Sequence, residues 1–402
     1  MFKPALIIHG GAGSIHRSNL PPHLYAKYHT SLQTYLRDTH TLLNTGTPAL
    51  DAAVHAVSAM EDDPLFNCGR GSVFTRSGTI EMEASIMVTS LHPDHQNPQF
   101  VKRGVGVMGL KKVRHPIQLA RECLLRYESG ACGFEGSMHS QLNGEFVEGF
   151  AEDWGVEVMD PEWFFTMKRW EEHLRGLCPS SSSSPSSSSS LNGFSNGSSG
   201  GFSLESEGGE YLSQGTVGCV CLDQWGNLAV ATSTGGLTNK WPGRIGDTPT
   251  LGAGFWAETF DKPFSSDTSV DSDVECDGYV LVGEKVGTKR AVAVSGTGNG
   301  DSFLRTAAAR TACAMLRFDG GVLSLGDAVA AVAGPGGELQ RSAGGRWGSG
   351  EGEGGIIGIE VVGAGEGDGG WGRVVFDFNC GGMWRAWVED DVERIMVFRE
   401  PY

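Results

Sequence analysis

The segment QGTVGCVCLD, residues 214–223, starts a β-rich region directly after a long run of serine and glycine. A second β-rich run, LAVATST, follows the turn signal DQWGN. Two such runs joined by a short glycine-containing turn are typical of a β-hairpin. We therefore predict a hairpin whose first strand begins at the Gly215-Thr216 step. Cys219 and Cys221 fall on one face of that strand, where small thiols commonly pack in a core.

The serine- and glycine-rich run covers about residues 179–209, and residues 180–190 alone are ten serines and one proline. This composition has too little apolar surface to offset the entropy lost on ordering, which predicts a flexible linker. The linker could separate two independent domains or interrupt a single one. Because neither half carries a complete set of elements, we predict one domain over residues 1–402.

The elements on both sides of the linker indicate the fold class. Upstream, ALIIHG predicts a buried strand, residues 22–44 an amphipathic helix, and Thr47-Pro48 the N-cap and first residue of a second helix. HGGAGS lacks the spacing of a phosphate loop, so we interpret it as a tight turn. Downstream, AVAVSG predicts a strand, SFLRTAAARTACAMLRF one helix, and IIGIEVV with RVVFDFN a last hairpin. Antiparallel hairpins with helices grouped between them favour an α+β fold of layered sheets and helices.

Composition and charge exclude several classes of partner. The formal charge of -17 opposes binding to nucleic acid or anionic lipid. No apolar run reaches the roughly 18 residues of a membrane span, and the N-terminal MFKPALIIHGG has no signal-peptide pattern. The nine cysteines are odd in number and form no CxxC pair, which indicates free thiols. We expect a cytoplasmic protein with no nucleic acid, membrane or side-chain metal site.

The second half of the chain has to perform any chemistry without histidine, because all eleven histidines occur at or before His173. A threonine hydroxyl needs a base to act as a nucleophile, and one solution is the residue's own α-amine. Thr216 has that amine only if its bond to Gly215 is cut. The amine's reference pKa of about 7.7 to 8 suits a general base near neutral pH. The alternative is that Gly215 merely turns the chain into a strand.

Other polar residues of this half could complete a site. Thr234 lies on the partner strand of the predicted hairpin, where its hydroxyl could come beside Thr216. Arg244 and Asp247, in GRIGD, suit the α-carboxylate and α-ammonium of a free amino acid, or form a surface salt bridge within a turn. The segment SGTGNGDS joins a strand to a helix and could donate hydrogen bonds to an oxyanion. Those donors would be the Thr297 hydroxyl and the Gly298 amide.

Together these motifs resemble one family, the plant-type asparaginases or isoaspartyl peptidases of the N-terminal nucleophile hydrolases. The resemblance runs in order over nearly the whole chain outside the linker and an acidic insertion at about 259–276. It rests on IIHGGAG, DPLFNCGRGSVF with EMEASIM, HPIQLAR, DPEWFFT, GTVGCVCLD, ATSTGG, PGRIGDTPTLGAG, GTGNGDSFLR and FNCGGMWRA.

The resemblance implies a four-layer αββα sandwich and a precursor that cuts itself into chains 1–215 and 216–402. Two cleaved units would pair as a dimer. The enzyme would hydrolyse L-asparagine, β-aspartyl dipeptides or both to L-aspartate through a threonyl acyl-enzyme. The implied site residues are Thr216 as nucleophile and base, Thr234 as its assistant, Arg244 and Asp247 for the substrate's charged groups, Thr297 and Gly298 for the oxyanion, and Asn67 as a further active-site residue.

The resemblance also implies a structural sodium loop, and no other cofactor is expected. Its ligands would be mainly backbone carbonyls, here those of Met60, Glu61, Asp63, Phe66 and Cys68. The acidic insertion could shade the site or be a disordered surface loop. Rival interpretations are a threonine aspartase-like protease, a glycosylasparaginase, and an uncleaved, inactive scaffold. Asp247 favours a substrate with a free α-amine, which argues against an aspartase acting inside proteins.

Overall fold

A computed structural model describes residues 1–91, 103–126, 139–177, 215–261, 289–319, 322–362, 370–389 and 391–402. The predicted linker at about 179–209 and residues 262–276 of the acidic insertion lie outside the described residues. In chain order the helices and strands are β1 (Ala5–Gly13), α1 (Pro22–Asn44), α2 (Ala49–Asp62), β2 (Met82–Val88), β3 (Gly104–Leu110), α3 (Pro116–Leu125), β4 (Gln141–Asn143), α4 (Gly144–Glu148), α5 (Met167–Leu177), β5 (Val217–Leu222), β6 (Leu228–Thr234), β7 (Phe255–Asp261), β8 (Lys289–Gly298), α6 (Gly300–Thr306), α7 (Ala308–Phe318), α8 (Leu325–Ala333), α9 (Glu338–Ser342), β9 (Gly354–Val362), β10 (Trp371–Phe378), β11 (Gly382–Glu389) and β12 (Val392–Met396).

These strands form two sheets in a mixed α/β arrangement. The larger sheet has eight strands in the order β12-β11-β1-β5-β6-β2-β3-β4, and its neighbours are antiparallel except for β3 with β4. The smaller sheet has the antiparallel order β10-β9-β8-β7. The predicted β5–β6 hairpin is confirmed, with Val217 paired to Ser233. The last predicted hairpin is confirmed as β9 with β10.

Successive residues of a strand point to opposite faces, and in the central strands both faces are buried. In β1, Ile8 belongs to the core between the larger sheet and helices α1 to α3. Ile7 belongs to a second core, which it shares with Ile359 of the smaller sheet. The outer face of the smaller sheet packs on α7 and α8 through residues such as Cys313 and Val329. The sequences of the central strands are therefore continuous apolar runs rather than alternating apolar and polar residues.

The predicted tight turn at HGGAGS is wrong, because strand β1 continues through it to Gly13. β1 pairs with β11 along this stretch, and the pairing shifts between His9 and Gly11, which marks a β-bulge. Gly11 has a φ of 116°, a conformation that glycine adopts without strain. The glycines thus bend a strand instead of ending it.

Two helix boundaries also differ from the prediction. Helix α2 begins at Ala49 with Pro48 as its N-cap, and the free Ala49 N–H donates to Asp223 Oδ2 at 3.0 Å. Asp223 therefore supplies the cap that was assigned to Thr47. The single helix predicted at 302–318 is two helices, α6 and α7, separated by Ala307 at a φ of 45°.

The break between α6 and α7 has a tertiary cause. The second and third N–H groups of α7 donate to the carbonyls of Ala253 and Gly252 at 3.0 and 2.8 Å. These long-range bonds satisfy donors that a helix start leaves free. None of the helices in the described part of the chain has the length and apolar character needed to span a bilayer.

Candidate active site

Thr216 lies immediately before β5, with 5% of its surface exposed. Its Oγ1 is 3.2 Å from the Oγ1 of Thr248. The β5–β6 register, extended by one residue beyond the pair Val217 and Ser233, puts Thr216 opposite Thr234 as expected. The Thr234 hydroxyl itself accepts a hydrogen bond from the Gly236 N–H at 3.0 Å. The hydroxyl in contact with Thr216 is therefore that of Thr248, which the sequence analysis did not single out.

His9, on β1, fixes the backbone of Thr216. Its Nδ1 lies 2.9 Å from the Thr216 carbonyl oxygen and its Nε2 lies 2.7 Å from the Ser295 hydroxyl. A carbonyl only accepts, so Nδ1 carries the proton and Nε2 accepts from Ser295. Burial lowers the pKa of His9 to about 3, although the bond to Thr216 opposes this shift. His9 is thus a neutral donor that holds the Thr216 carbonyl in place.

The bulge in β1 packs closely against Gly215. A Cβ added to Gly215 would lie 2.3 Å from the Gly11 Cα and 2.6 Å from the Ala12 nitrogen. Such separations are shorter than non-bonded carbon atoms tolerate. The Ala12 N–H also donates to the Thr297 hydroxyl at 3.2 Å. One bulge therefore contacts both the residue before Thr216 and the predicted oxyanion donor.

Asp247 and Arg244 meet beside the start of α6. A Cβ on Gly300 would lie 2.4 Å from Asp247 Oδ1 and 3.0 Å from Arg244 Nη2, so only glycine leaves room for both groups. The Arg244 guanidinium donates to Asp301 Oδ2 at 3.1 Å. Burial raises the pKa of Asp247 to about 7; Arg244 opposes that rise and Glu83 adds to it. Asp247 is buried and the Arg244 side chain is 17% exposed. The ion pair that Arg244 makes is with Asp301, not the bridge to Asp247 that was the alternative.

Two carboxylates hold the loop that carries Arg244. Glu83 lies on strand β2, and Glu81 directly precedes that strand. Glu81 Oε2 accepts from the Gly243 N–H at 2.7 Å, and Glu83 Oε1 accepts from the Gly246 N–H at 2.9 Å. Lys240 Nζ donates to the Glu81 carbonyl at 2.6 Å. Burial raises the pKa of Glu83 and lowers that of Lys240. Side chains two residues apart on an extended chain share a face. Both glutamates therefore contact the loop from the same side.

Several polar atoms here are buried without a hydrogen-bond partner among the described residues. They include Asp247 Oδ2, Arg244 Nε and Glu83 Oε2. Leaving such a group unsatisfied costs about 1–3 kcal/mol. A cation and an anion with free hydrogen-bonding capacity at one place are suited to a ligand that bears both charges.

Thr297 and Gly298 end strand β8 directly before α6. The Thr297 side chain is fully buried, and Gly298 has a φ of 146°. A Cβ on Gly298 would lie 2.4 Å from both the Glu353 carbonyl oxygen and the Gly354 Cα. Backbone geometry and space thus both require glycine at 298.

Asn67 is buried and ties its own loop to the turn after β6. Its Nδ2 donates to the Gly236 carbonyl at 2.8 Å, and its Oδ1 accepts from the Val73 N–H at 3.1 Å. The Gly235 N–H donates to the Asn67 carbonyl at 2.9 Å. Asn67 therefore supports the turn whose Gly236 N–H bonds to the Thr234 hydroxyl.

The segment expected to bind sodium is tightly wound. The Glu61 and Phe66 carbonyl oxygens lie 2.2 and 2.0 Å from the positions that Cβ atoms would take on two nearby glycines. The carbonyls of Met60, Asp63 and Cys68 accept N–H bonds from nearby residues, and the Met60 carbonyl also accepts from the Cys68 thiol at 3.3 Å. These neutral oxygens fit a hard cation. Within the described ranges, no group of three or more His, Cys, Asp or Glu side chains could hold a metal ion.

Thr216, Thr234, Arg244, Asp247, Thr297, Gly298 and Asn67 stay predicted site residues, and the structure places further residues, which the sequence did not indicate, in contact with several of them. Thr248 directly follows Asp247, and a search for hydroxyls beside binding residues would have found it. Glu83 could have been noticed because it alternates with Glu81. His9 and Ser295 carry no local signal, since 286 residues separate them in the chain.

Comparison with known proteins identifies relatives over the full chain. A family model described as Asparaginase matches residues 2–262. An isoaspartyl peptidase of Salmonella typhimurium is 32% identical over 401 residues, which covers 100% of both chains. An isoaspartyl peptidase of Escherichia coli is 32% identical over 401 residues, covering 100% of this chain and 98% of the relative. An isoaspartyl peptidase/L-asparaginase of Mus musculus is 31% identical over 263 residues, covering 63% of each chain.

Proposed function

The chain belongs to the asparaginase family, and we propose that it hydrolyses L-asparagine, β-aspartyl dipeptides or both, releasing L-aspartate. The family assignment rests on the match over residues 2–262 and on relatives 32% identical over the whole chain. The names of these relatives, isoaspartyl peptidase and L-asparaginase, supply the substrate class for the proposal.

The observation that carries this proposal is the buried pair Arg244 and Asp247 with its unpartnered atoms. An α-ammonium would bind Asp247 and an α-carboxylate would bind Arg244. Binding would then give hydrogen-bond partners to Asp247 Oδ2 and Arg244 Nε and remove the free-energy cost of leaving them unsatisfied. Thr248 joins this pair to the nucleophile, because it follows Asp247 and its hydroxyl lies 3.2 Å from that of Thr216. A free amino-acid end would thus be held beside a threonine hydroxyl.

In the first proposed step the chain cuts itself. The Thr216 Oγ attacks the Gly215 carbonyl carbon, a C–O bond forms, the C–N bond to Thr216 breaks, and the hydroxyl proton moves to the departing nitrogen. Water then hydrolyses the resulting ester, which restores the hydroxyl and leaves a carboxylate on Gly215. The close contact between Gly215 and Gly11 supports this step, because it restrains the reacting peptide in one conformation.

In the second proposed step the new α-amine of Thr216 acts as the base. It takes the hydroxyl proton while Oγ attacks the side-chain carbonyl of the substrate, and it returns that proton to the leaving ammonia or amine. Water hydrolyses the β-aspartyl ester and releases L-aspartate. The Thr297 hydroxyl accepts from the Ala12 N–H, so its own proton can donate to the oxyanion together with the Gly298 N–H. Thr234 and Asn67 would support the turn beside the nucleophile.

We also propose the finer features that the family resemblance implies. The contacts of helices on both sheets and of the sheets with each other support a four-layer αββα sandwich in a single domain. The six cysteines of the described ranges are free, five of them buried, which supports a reducing, cytoplasmic location. The pairing of two cleaved units remains a prediction.

A sodium ion in the Met60–Gly69 segment is part of the proposal. The carbonyls of Met60, Glu61, Asp63, Phe66 and Cys68 would hold it, and its charge would offset the partial negative charges of these oxygens. Because this loop includes Asn67, the ion would act on the site through the loop's conformation. Replacing Na⁺ by a large cation such as tetramethylammonium should lower the midpoint of thermal unfolding.

Intact mass and N-terminal sequencing test the proposed function directly. The parent chain should yield a fragment that begins at Thr216, whereas Thr216→Ala should stay whole and hydrolyse neither substrate. The cleaved parent should release aspartate from L-asparagine or from a β-aspartyl dipeptide. A parent that stays whole after long incubation would instead support the scaffold interpretation, and an active, cleaved Thr216→Ala protein would exclude the mechanism.

A further inference from the structure

We propose that Thr248 is a catalytic residue of this enzyme, whose hydroxyl orients the Thr216 Oγ for both self-cleavage and substrate hydrolysis. This inference rests on the proposed function, because it requires Thr216 to be the nucleophile. It assigns a role to a residue that neither the motif analysis nor the substrate-binding pair accounts for.

The first support is the direct contact with the reacting atom. The two Oγ1 atoms are 3.2 Å apart, and Thr248 is 1% exposed. A threonine χ1 has three staggered minima that point the hydroxyl in three directions. A bond to a buried hydroxyl stabilises one of them, whichever of the two groups donates.

The second support is that the rest of Thr216 is already restrained. His9 holds its carbonyl oxygen at 2.9 Å, and Gly11 packs against the preceding Gly215. With the backbone fixed at these points, the side-chain torsion is the remaining freedom that decides where Oγ lies. Thr248 acts on that torsion.

The third support is the position of Thr248 in the substrate-binding loop. Glu83 fixes the residue two positions before it by accepting the Gly246 N–H, and the Asp247 carbonyl accepts the N–H groups of Thr250 and Gly254 at 3.0 and 3.1 Å. The loop is therefore rigid on both sides of Thr248. Substrate binding and orientation of the nucleophile depend on two adjacent residues of one fixed backbone.

The two steps themselves remain as written for Thr216, and Thr248 gains or loses no proton overall. In the intact chain Thr216 has no free α-amine, so its hydroxyl lacks that base. The orientation of the hydroxyl therefore matters more for self-cleavage than for hydrolysis. We therefore expect self-cleavage to depend on Thr248 at least as strongly as hydrolysis does.

The experiment compares Thr248→Val, which keeps the shape and removes the hydroxyl, with Thr248→Ser, which keeps the hydroxyl. Thr232→Val is the matched control, because Thr232 forms a buried hydroxyl pair with Ser85 on the same sheet. Cleavage rates are measured by intact mass from freshly refolded full-length precursor. Steady-state constants for L-asparagine are normalised to the cleaved fraction.

Losing a hydrogen bond to a buried hydroxyl should slow cleavage of Thr248→Val about 10- to 100-fold. The variant's kcat should fall while its KM changes less than about twofold, because Arg244 and Asp247 still bind the substrate. Thr248→Ser should restore both rates to within about threefold of the parent, and Thr232→Val should resemble the parent.

Two outcomes would overturn the inference while leaving the proposed function intact. One is normal cleavage of Thr248→Val in a parent that cleaves. The other is an equal loss in Thr248→Val and Thr232→Val, which would show that buried packing alone matters. A parent that never cleaves would refute the proposed function itself, and the inference with it.

Discussion

Replacing Asp247 by asparagine should abolish activity yet make the folded chain more stable at neutral and alkaline pH. Burial raises the pKa of this carboxyl from 3.8 to about 7, with Glu83 adding to the rise and Arg244 opposing it. The folded chain therefore binds the proton more tightly than the unfolded chain does. The contribution of this carboxyl to the free energy of unfolding therefore falls as the pH rises from about 4 to about 7 and is level above that.

The magnitude follows from the two pKa values. They differ by about three, 7 minus 3.8, and each unit corresponds to about 1.36 kcal/mol, so the full effect is on the order of 4 kcal/mol. Between pH 5 and pH 7 the part that is lost is about 2 to 3 kcal/mol. Asparagine cannot ionise, so Asp247→Asn does not show this loss.

The assay measures the midpoint of thermal unfolding at intervals from pH 5 to pH 8. Both proteins carry Thr216→Ala, which keeps them as single chains and removes cleavage as a variable. The midpoint of the Asp247→Asn protein minus that of its parent should rise with pH by several degrees and level off above about pH 7. Asp38→Asn, the same change on an exposed aspartate of α1, is the control for the loss of one negative charge. A difference that stays constant from pH 5 to pH 8 would refute the reasoning.

Two further substitutions test the precursor contact and the support of the binding loop. Gly215→Ala should slow self-cleavage more than about tenfold, because its Cβ would lie 2.3 Å from the Gly11 Cα; Gly345→Ala, which has no atom within 4 Å of its new Cβ, is the control, and equal rates on a denaturing gel would contradict the contact. Glu83→Ala should raise the KM for L-asparagine about tenfold, because it removes the acceptor of the Gly246 N–H. Glu83→Gln keeps an acceptor and should leave KM within about threefold; steady-state kinetics that show the same KM for both variants would count against a supporting role.

The sequence predicts elements well wherever the pattern is local. The hairpin from Val217 to Thr234 follows from two β-rich runs and a turn, and α1 follows from its amphipathic period. The break at Ala307 could not be predicted, since its cause is hydrogen bonding to the distant Gly252 and Ala253 carbonyls. The bulge in β1 was missed for a different reason. A glycine pair fits a turn and a bent strand equally well, so the local sequence did not distinguish them.

In the candidate site, too, features that depend on neighbouring residues could be predicted and contacts between distant residues could not. That Arg244 and Asp247 lie near each other could be predicted, because they are three residues apart in one loop; their binding of a free amino-acid end stays a prediction. The contact between Thr216 and Thr248 joins residues 32 apart, and that between His9 and Thr216 joins residues 207 apart. Such contacts arise from the pairing of β1 with β5 and from the path of the loop after β6. No spacing in the sequence encodes them.

The contacts around Thr216 differ in what the proposed cleavage would do to them. The restraint by Gly11 acts on Gly215, so it would be lost once the bond breaks and Gly215 moves away. The bonds from His9 and to Thr248 act on the carbonyl oxygen and the Oγ of Thr216 itself, so they survive. Departure of Gly215 would free space at the new α-amine, whereas the hydroxyl would keep its orientation. The proposed cleavage would therefore release the restraint on the peptide without rebuilding the nucleophile, and for that reason one threonine would serve both proposed reactions.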